Sequence, residues 1–115
     1  MKFGYWRIRG AGQVSRLLLA YSGLEWEDVQ YVDREKWMND DKVNLGFDFP
    51  NLPYIIDGDF KFSESEAIHR YIINKSGKTD LLGKNIQDTT VVMEIEGVIK
   101  DGAVTLFPLF FNPEW

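Results

Sequence analysis

Residues Phe49 to Ile72, "FPNLPYIIDGDFKFSESEAIHRYI", carry two features with the chemistry to hold a small charged molecule. One is Pro53, set directly before the apolar run Tyr54-Ile55-Ile56. The other is the cluster Ser63-Glu64-Ser65-Glu66, set where a helical pattern starts. First-turn N–H groups of a helix have no partners within the helix and suit an anion. Each feature also has an ordinary local use, since proline can begin an edge strand and serine can cap a helix. Joined by one tight hairpin, the pair marks a place for something short and charged. Trp37 is a third candidate, standing in a polar loop. A large aromatic there is either an anchor packed on the domain or a ligand contact.

The elements that must position these residues follow from spacing. Lys2 to Ile8 is short and aromatic-rich and leads to Gly10 and Gly12, which predicts a strand and then a loop. Val14, Leu17, Leu18 and Tyr21 recur at helical spacing, and Gly23 ends that helix. Trp26 to Tyr31 predicts a second strand. "DREKWMNDDKVNLGFDFPN" is polar and punctuated, and predicts a long loop carrying a short helix. Tyr54-Ile55-Ile56 and Phe60-Lys61-Phe62 flank "DGD", with Asp57-Gly58 as a two-residue hairpin turn. Ser63 and Glu66 have the spacing of a capping box for a helix with Ala67, Ile68, Tyr71 and Ile72 as its stripe. After the linker "NKSGKTDLLGKNIQ", a last helix starts near Asp88. Its apolar face holds Val91, Val92, Ile95, Val98, Ile99, Leu106, Phe107, Phe110 and Phe111, and Pro108 should kink or end it. The order β-α-β-loop-β-β-α predicts an α/β domain, a mixed sheet covered by helices, over residues 1–82. Residues 83–115 then form a linker and one helix.

Composition narrows the function. With 115 residues, 44% of them hydrophobic and 15% aromatic, the chain can build a packed core. A net charge of −5 argues against nucleic acid, which selects a basic face. No apolar run reaches the length of a membrane span, and "MKFGYWRIRG" lacks the apolar segment of a signal peptide. The absence of cysteine excludes a disulfide scaffold, a cysteine zinc site and a dithiol redox centre. His69 is the sole imidazole and reads as a solvated or surface hydrogen-bonding side chain, which argues against a transition-metal site. The expectation is a soluble, cytoplasmic protein without metal.

"GYWRIRGAGQVSRLLL", "KWMNDDKVNLGFDFPNLPYIIDGD" and "SESEAIHRYI", in that order, closely resemble the mu class of glutathione transferases. The likeness runs from Gly4 to Pro113, where "FFNPE" still matches. It implies a thioredoxin-like βαβ-ββα domain followed by the first helix of a truncated all-α domain. The reactive cysteine of thioredoxins and glutaredoxins is missing after the first strand. The implied activity is addition of the glutathione thiolate to hydrophobic electrophiles, with glutathione as co-substrate and no cofactor. Carried over by position, Tyr5 would be the catalytic tyrosine, beside Trp6. Trp37 and Lys42 would bind the glycine end of glutathione. Asn51, Leu52 and Pro53 would hold its cysteinyl backbone, and Glu64 and Ser65 its γ-glutamyl end. Asp101 would reach that end across the interface of a homodimer, in which Phe49 inserts into the partner and Arg70 lies near the two-fold axis.

The implied roles have physical sense. A cis Pro53 would turn the chain so that Leu52 offers its N–H and C=O to an extended peptide such as glutathione. The γ-glutamyl carboxylate suits the helix N-terminus at Ser65, and its amine suits Glu64 and Asp101. A tyrosine hydroxyl that donates to a thiolate favours the charged form. Ser15 is a weaker thiolate donor than Tyr5, because it lies inside the first helix. Three positions depart from the family: Glu64 replaces a glutamine, Lys100 an apolar residue of the electrophile pocket, and Phe111 a tyrosine. The chain ends at Trp115, within the first helix of the expected all-α domain. It is therefore expected to be less stable and less active than a transferase with that domain. The competing reading is a non-catalytic glutathione-binding or interaction module.

Overall fold

The computed structural model describes residues 1–111, with side chains described as far as Leu109. Strand β1 (Lys2–Trp6) sets the layers of the first unit. Successive side chains of a strand point to opposite faces, so Phe3 and Tyr5 share one face and Gly4 and Trp6 the other. β1 pairs in parallel with β2 (Glu27–Tyr31) and antiparallel with β3 (Tyr54–Asp57), which pairs antiparallel with β4 (Phe60–Ser63). The sheet is therefore mixed, in the order β2-β1-β3-β4. A parallel neighbour needs a crossover. Helix α1 (Gln13–Ser22) supplies it after a 3-10 turn at Gly10–Gly12.

Each face of the sheet has its own core. On the Phe3 face, Leu19 of α1 and Ile68 and Ile72 of α3 (Ser65–Lys75) close over Phe3 and Ile55, all at most 1% exposed. On the other face the β2–β3 connection folds back. It carries a π-helical stretch, Lys36–Asp41, and a short α2, Lys42–Asn44. Trp37 from that connection packs with Tyr31 and Tyr54 into a second buried cluster. Gly4 makes this possible: a Cβ there would sit 2.1 Å from Tyr54 Cζ, so the Tyr54 ring lies where a side chain would have been. At the hairpin, Asp57 pairs with Phe60, and the two loop residues are Gly58 and Asp59. Gly58 has φ +63°, as the first loop position of a type II′ turn requires.

The chain divides into two compact units, Met1–Lys78 and a second beginning at Thr79. The second unit contains a 3-10 turn at Thr79–Leu82 and α4 (Ile86–Phe111).

Several sequence expectations are corrected. β1 ends at Trp6, because the chain turns into the loop before Ile8. In α1 the buried positions are Ser15 and Leu19. Val14, Leu17 and Tyr21 are exposed, because the helix turns its less apolar stripe toward the sheet and α3. In α3, Ile68, Ile72 and Ile73 are buried and Ala67 is exposed. The hairpin turn lies one residue later than Asp57-Gly58, because Asp57 still belongs to the ladder. α4 starts at Ile86, and Pro108 does not end it; the helix continues to Phe111. Its residues Val91, Ile95, Val98, Ile99 and Leu106 are exposed. The expectations for the side chains of Phe110 and Phe111, and for residues 112–115, fall outside the described residues.

Two stability tests follow. Gly4→Ala should displace the Tyr54 ring and cost about 1–3 kcal/mol by overpacking, measured by urea denaturation. The second concerns Asp57, which accepts hydrogen bonds from Lys75 Nζ (2.6 Å) and Tyr71 Oη (2.6 Å), joining α3 to the hairpin. The Lys75 hydrogen bond first, then the Tyr71 one, holds the Asp57 carboxyl below its ordinary range. The folded pKa lies below the unfolded value of about 3.9, so the stabilisation is complete above that value and fades as pH falls through the folded pKa. Asp57→Asn keeps an acceptor for Tyr71 but removes the charge that Lys75 and Tyr71 meet. It should therefore lower stability near neutral pH and far less under acid conditions, measured by urea denaturation at both pH values.

Candidate active site

Sheet register lines up the candidate residues. One step beyond the pair Gly4–Tyr54, Tyr5 of β1 comes beside Pro53. One step beyond the pair Tyr54–Ser63, Pro53 comes beside Glu64. Tyr5, Pro53 and Glu64 thus form a row across three neighbouring strand ends.

Tyr5 is 7% exposed, and its hydroxyl oxygen accepts the Ala11 N–H at 3.1 Å. The hydroxyl proton has no acceptor among the described residues, so the group remains a donor. The loop after β1 can close on the ring because it is glycine-rich: a Cβ on Gly12 would stand 2.3 Å from Tyr5 Cδ1. Trp6 is half-buried and meets Tyr31 edge-on, with ring centroids 6.1 Å apart.

Pro53 is buried and its bond to Leu52 is cis. The expectation of a free Leu52 N–H is corrected: it donates to Asn51 Oδ1 at 2.9 Å. The same Asn51 side chain reaches Glu64, Nδ2 to Oε1 at 3.5 Å. Asn51 therefore bridges the proline turn and the start of α3. Glu64 is the N-cap residue with φ 78° and ψ 117°, a conformation costly for any side chain but glycine's, by about 1–3 kcal/mol. Its side chain makes no capping hydrogen bond. The expected capping box is shifted off register, because the N-cap is Glu64 and not Ser63; the Ser63 hydroxyl donates to the Phe49 carbonyl. Ser65, half-buried, is the first residue of α3. The helix start thus presents N–H groups, a serine and a carboxylate side by side.

Trp37 is 3% exposed and stacks on Tyr54, with centroids 5.9 Å apart and planes inclined by 22°. Its ring is thus a loop anchor. Below it, Tyr31 Oη donates to Asp41 Oδ2 at 2.6 Å and lies 3.0 Å from Tyr54 Oη. Burial, followed by the bond to Asp41, pushes the Tyr31 hydroxyl's pKa up, and burial does the same to Tyr54. Both stay neutral, and the network holds as an uncharged relay ending on one carboxylate. Lys42, half-buried, opens α2.

The structure gathers Tyr5, Trp6, Asn51, Leu52, Pro53, Glu64 and Ser65 at one end of the sheet. Asp101 lies exposed on α4 of the second unit, Phe49 is 80% exposed, and Arg70 is half-buried on α3. Arg16 of α1 has no local signal in the sequence; its partner Asp28 lies on β2, and the two meet only when α1 packs beside the sheet, Nε to Oδ2 at 3.0 Å. Among the described residues no cluster of three or more His, Asp and Glu is placed to hold a metal ion. No described helix is long and apolar enough to cross a membrane.

Known proteins with these features point one way. Residues 1–74 match the family model described as glutathione S-transferase, N-terminal domain. A class-mu 26 kDa glutathione S-transferase isozyme of Fasciola hepatica is 44% identical over 99% of this chain and 51% of its own length. The glutathione S-transferase Mu 7 of Rattus norvegicus is 38% identical over all of this chain and 54% of its own. The crystal structure of the glutathione S-transferase Blo t 8 superposes with a TM-score of 0.87 at 34% identity, over 99% of this chain and 53% of that one. The chain spans about half the length of the curated relatives it matches. The mixed sheet with its helices is the thioredoxin-like fold of those proteins. By its family match, its relatives and its fold, the chain belongs to the glutathione S-transferase N-terminal domain family.

Proposed function

We propose that this chain forms the glutathione-binding part of a mu-like glutathione transferase, which adds the glutathione thiolate to hydrophobic electrophiles in cytoplasmic detoxification. The observation that carries the reading is the Tyr5 hydroxyl, held by the Ala11 N–H as an acceptor while its own proton is free to be donated. A thiolate beside Pro53 would accept a hydrogen bond from that O–H. A hydrogen bond to a charged group is worth about 1.5–3 kcal/mol, which lowers a thiol pKa by roughly one to two units. The thiol proton leaves to solvent, and the sulfur forms a C–S bond with the electrophile. The electrophile either expels its leaving group, as halide from an aryl halide, or, at an activated double bond, breaks the π bond and takes a proton from water. Tyr5 keeps its own proton throughout.

The neighbouring residues take the peptide. Its cysteinyl backbone adds to the strand end at Leu52, displacing Asn51 Oδ1 from the Leu52 N–H. Its γ-glutamyl carboxylate sits at the start of α3, against Ser65 and the first-turn N–H groups. Glu64 receives the amine, with Asp101 of a partner subunit as a second carboxylate. Lys42 and the edge of Trp37 hold the glycine end. In the proposed homodimer, Phe49 is the anchor and Arg70 lies near the axis; an aromatic that is 80% exposed supports this. The competing reading, a module that binds glutathione without catalysis, predicts retention on glutathione resin with no conjugation of an aryl halide.

Tyr5→Phe decides between them. Glutathione affinity should change little, while the pKa of the bound thiol, followed by thiolate absorbance, should rise by about one to two units. Equal pKa values in the two proteins would remove Tyr5 from the mechanism. For the assembly, Phe49→Ser should shift sedimentation toward monomer in a dimeric form of the protein, and an unchanged dimer would rule out the anchor.

A further inference from the structure

We infer that Arg16 is a positioning residue for the transfer reaction, holding Tyr5 and the loop that grips its hydroxyl in one geometry; this rests on the transferase reading above. The Arg16 side chain is 15% exposed, on α1 between buried Ser15 and exposed Leu17. Its guanidinium is used on three sides. Nη2 donates to the Trp6 carbonyl at 3.1 Å, Nη1 to the Ile8 carbonyl at 2.7 Å, and Nε to Asp28 Oδ2 at 3.0 Å. Its central carbon lies 5.8 Å from the centroid of the Tyr5 ring and 5.6 Å from that of Phe3.

These contacts converge on one mechanical task. Trp6 is the last residue of β1, and Ile8 lies in the loop that leads to Ala11. Between the two carbonyls, the Arg7 N–H donates to the Tyr31 carbonyl at 2.9 Å. Arg16 thus fixes the loop from beneath, and with it the Ala11 N–H that meets Tyr5 Oη. Lying across the ring, the same cation limits its movement from the other side. Asp28 orients the guanidinium by a charge-assisted bond from β2, so the parallel β1–β2 pairing is transmitted to the hydroxyl. The planar fork matters, because an ammonium's three donors radiate from one nitrogen, whereas the guanidinium reaches the two carbonyls and the carboxylate from three separate nitrogens. Misplacing a catalytic group by about 1 Å can cost on the order of a hundredfold in rate.

The test compares Arg16→Leu, Arg16→Lys and Tyr5→Phe in the full chain. Amide exchange at Ala11 reads the geometry without any ligand. Arg16→Leu should remove protection at Ala11 while the exchange of core amides such as Ile55 persists. With glutathione, the bound thiolate fraction near neutral pH should fall about three- to tenfold, through a raised thiol pKa, with affinity little changed. Arg16→Lys, which keeps the charge and the fold if the leucine variant is unstable, should show an intermediate loss in both readouts. Unchanged Ala11 protection in Arg16→Leu, or full wild-type behaviour in Arg16→Lys, would overturn the inference. If Tyr5→Phe leaves the bound thiol unaltered, or no glutathione binds, the transferase reading fails, and Ala11 exchange still decides whether Arg16 sets the loop.

Discussion

The site depends on the close pairing of β1 with β3, and that pairing depends on one missing side chain. Tyr54 lies across Gly4 in the space a Cβ would fill. An aromatic side chain buries about 150–250 Å², which at about 25 cal/mol per Å² is on the order of 4–6 kcal/mol as an upper bound. Once Tyr54 is seated, Trp37 stacks on it and Tyr31 bonds to it, which brings the β2–β3 connection down onto the sheet. The same pairing sets the register, and that register, extended one residue past the last pairs, brings Tyr5, Pro53 and Glu64 to the same end of the sheet.

The two faces of the sheet work by different chemistry. Beneath the helices, contacts are apolar and forgiving, apart from Ser15, whose buried hydroxyl finds no partner among the described residues. Across the sheet, two of the three aromatic rings, Tyr31 and Tyr54, carry hydroxyls that must satisfy one another and Asp41. An unpaired buried hydroxyl costs about 1–3 kcal/mol, so this face tolerates only a narrow set of arrangements. Narrow tolerance suits the connection that carries Trp37 and Lys42.

Much of this was legible in the sequence, for reasons that can be named. Tyr54-Ile55-Ile56, the glycine-containing turn and Phe60-Lys61-Phe62 make a hairpin because alternation and turn chemistry are local properties. The cis proline and the start of α3 were likewise readable beside a matching set of residues. What escaped was set by tertiary contact. Val14, Leu17 and Tyr21 are more apolar than Ser15, yet Ser15 is buried, since the sheet and α3 decide which stripe is covered. Ser63 has the spacing of a capping box, but the helix begins one residue later with Glu64 as its N-cap, and Ser63 donates to the Phe49 carbonyl, 14 residues away. Asn51 fills the backbone donor that seemed open at Leu52, and Arg16 gathers carbonyls whose proximity exists only after the loop has folded.

Glu64 stands in a backbone conformation that glycine would adopt without penalty. Its presence opposes two kinds of selection. A library screened for thermostability alone should drift to glycine at this position, since relief of strain is immediate and the carboxylate contributes little to the core. A library screened for ligand capture should keep an acidic or amide side chain there and accept a lower melting temperature. Position 64 is therefore a place where the history of a lineage, whether it was held by its chemistry or only by its fold, would be written in a single codon.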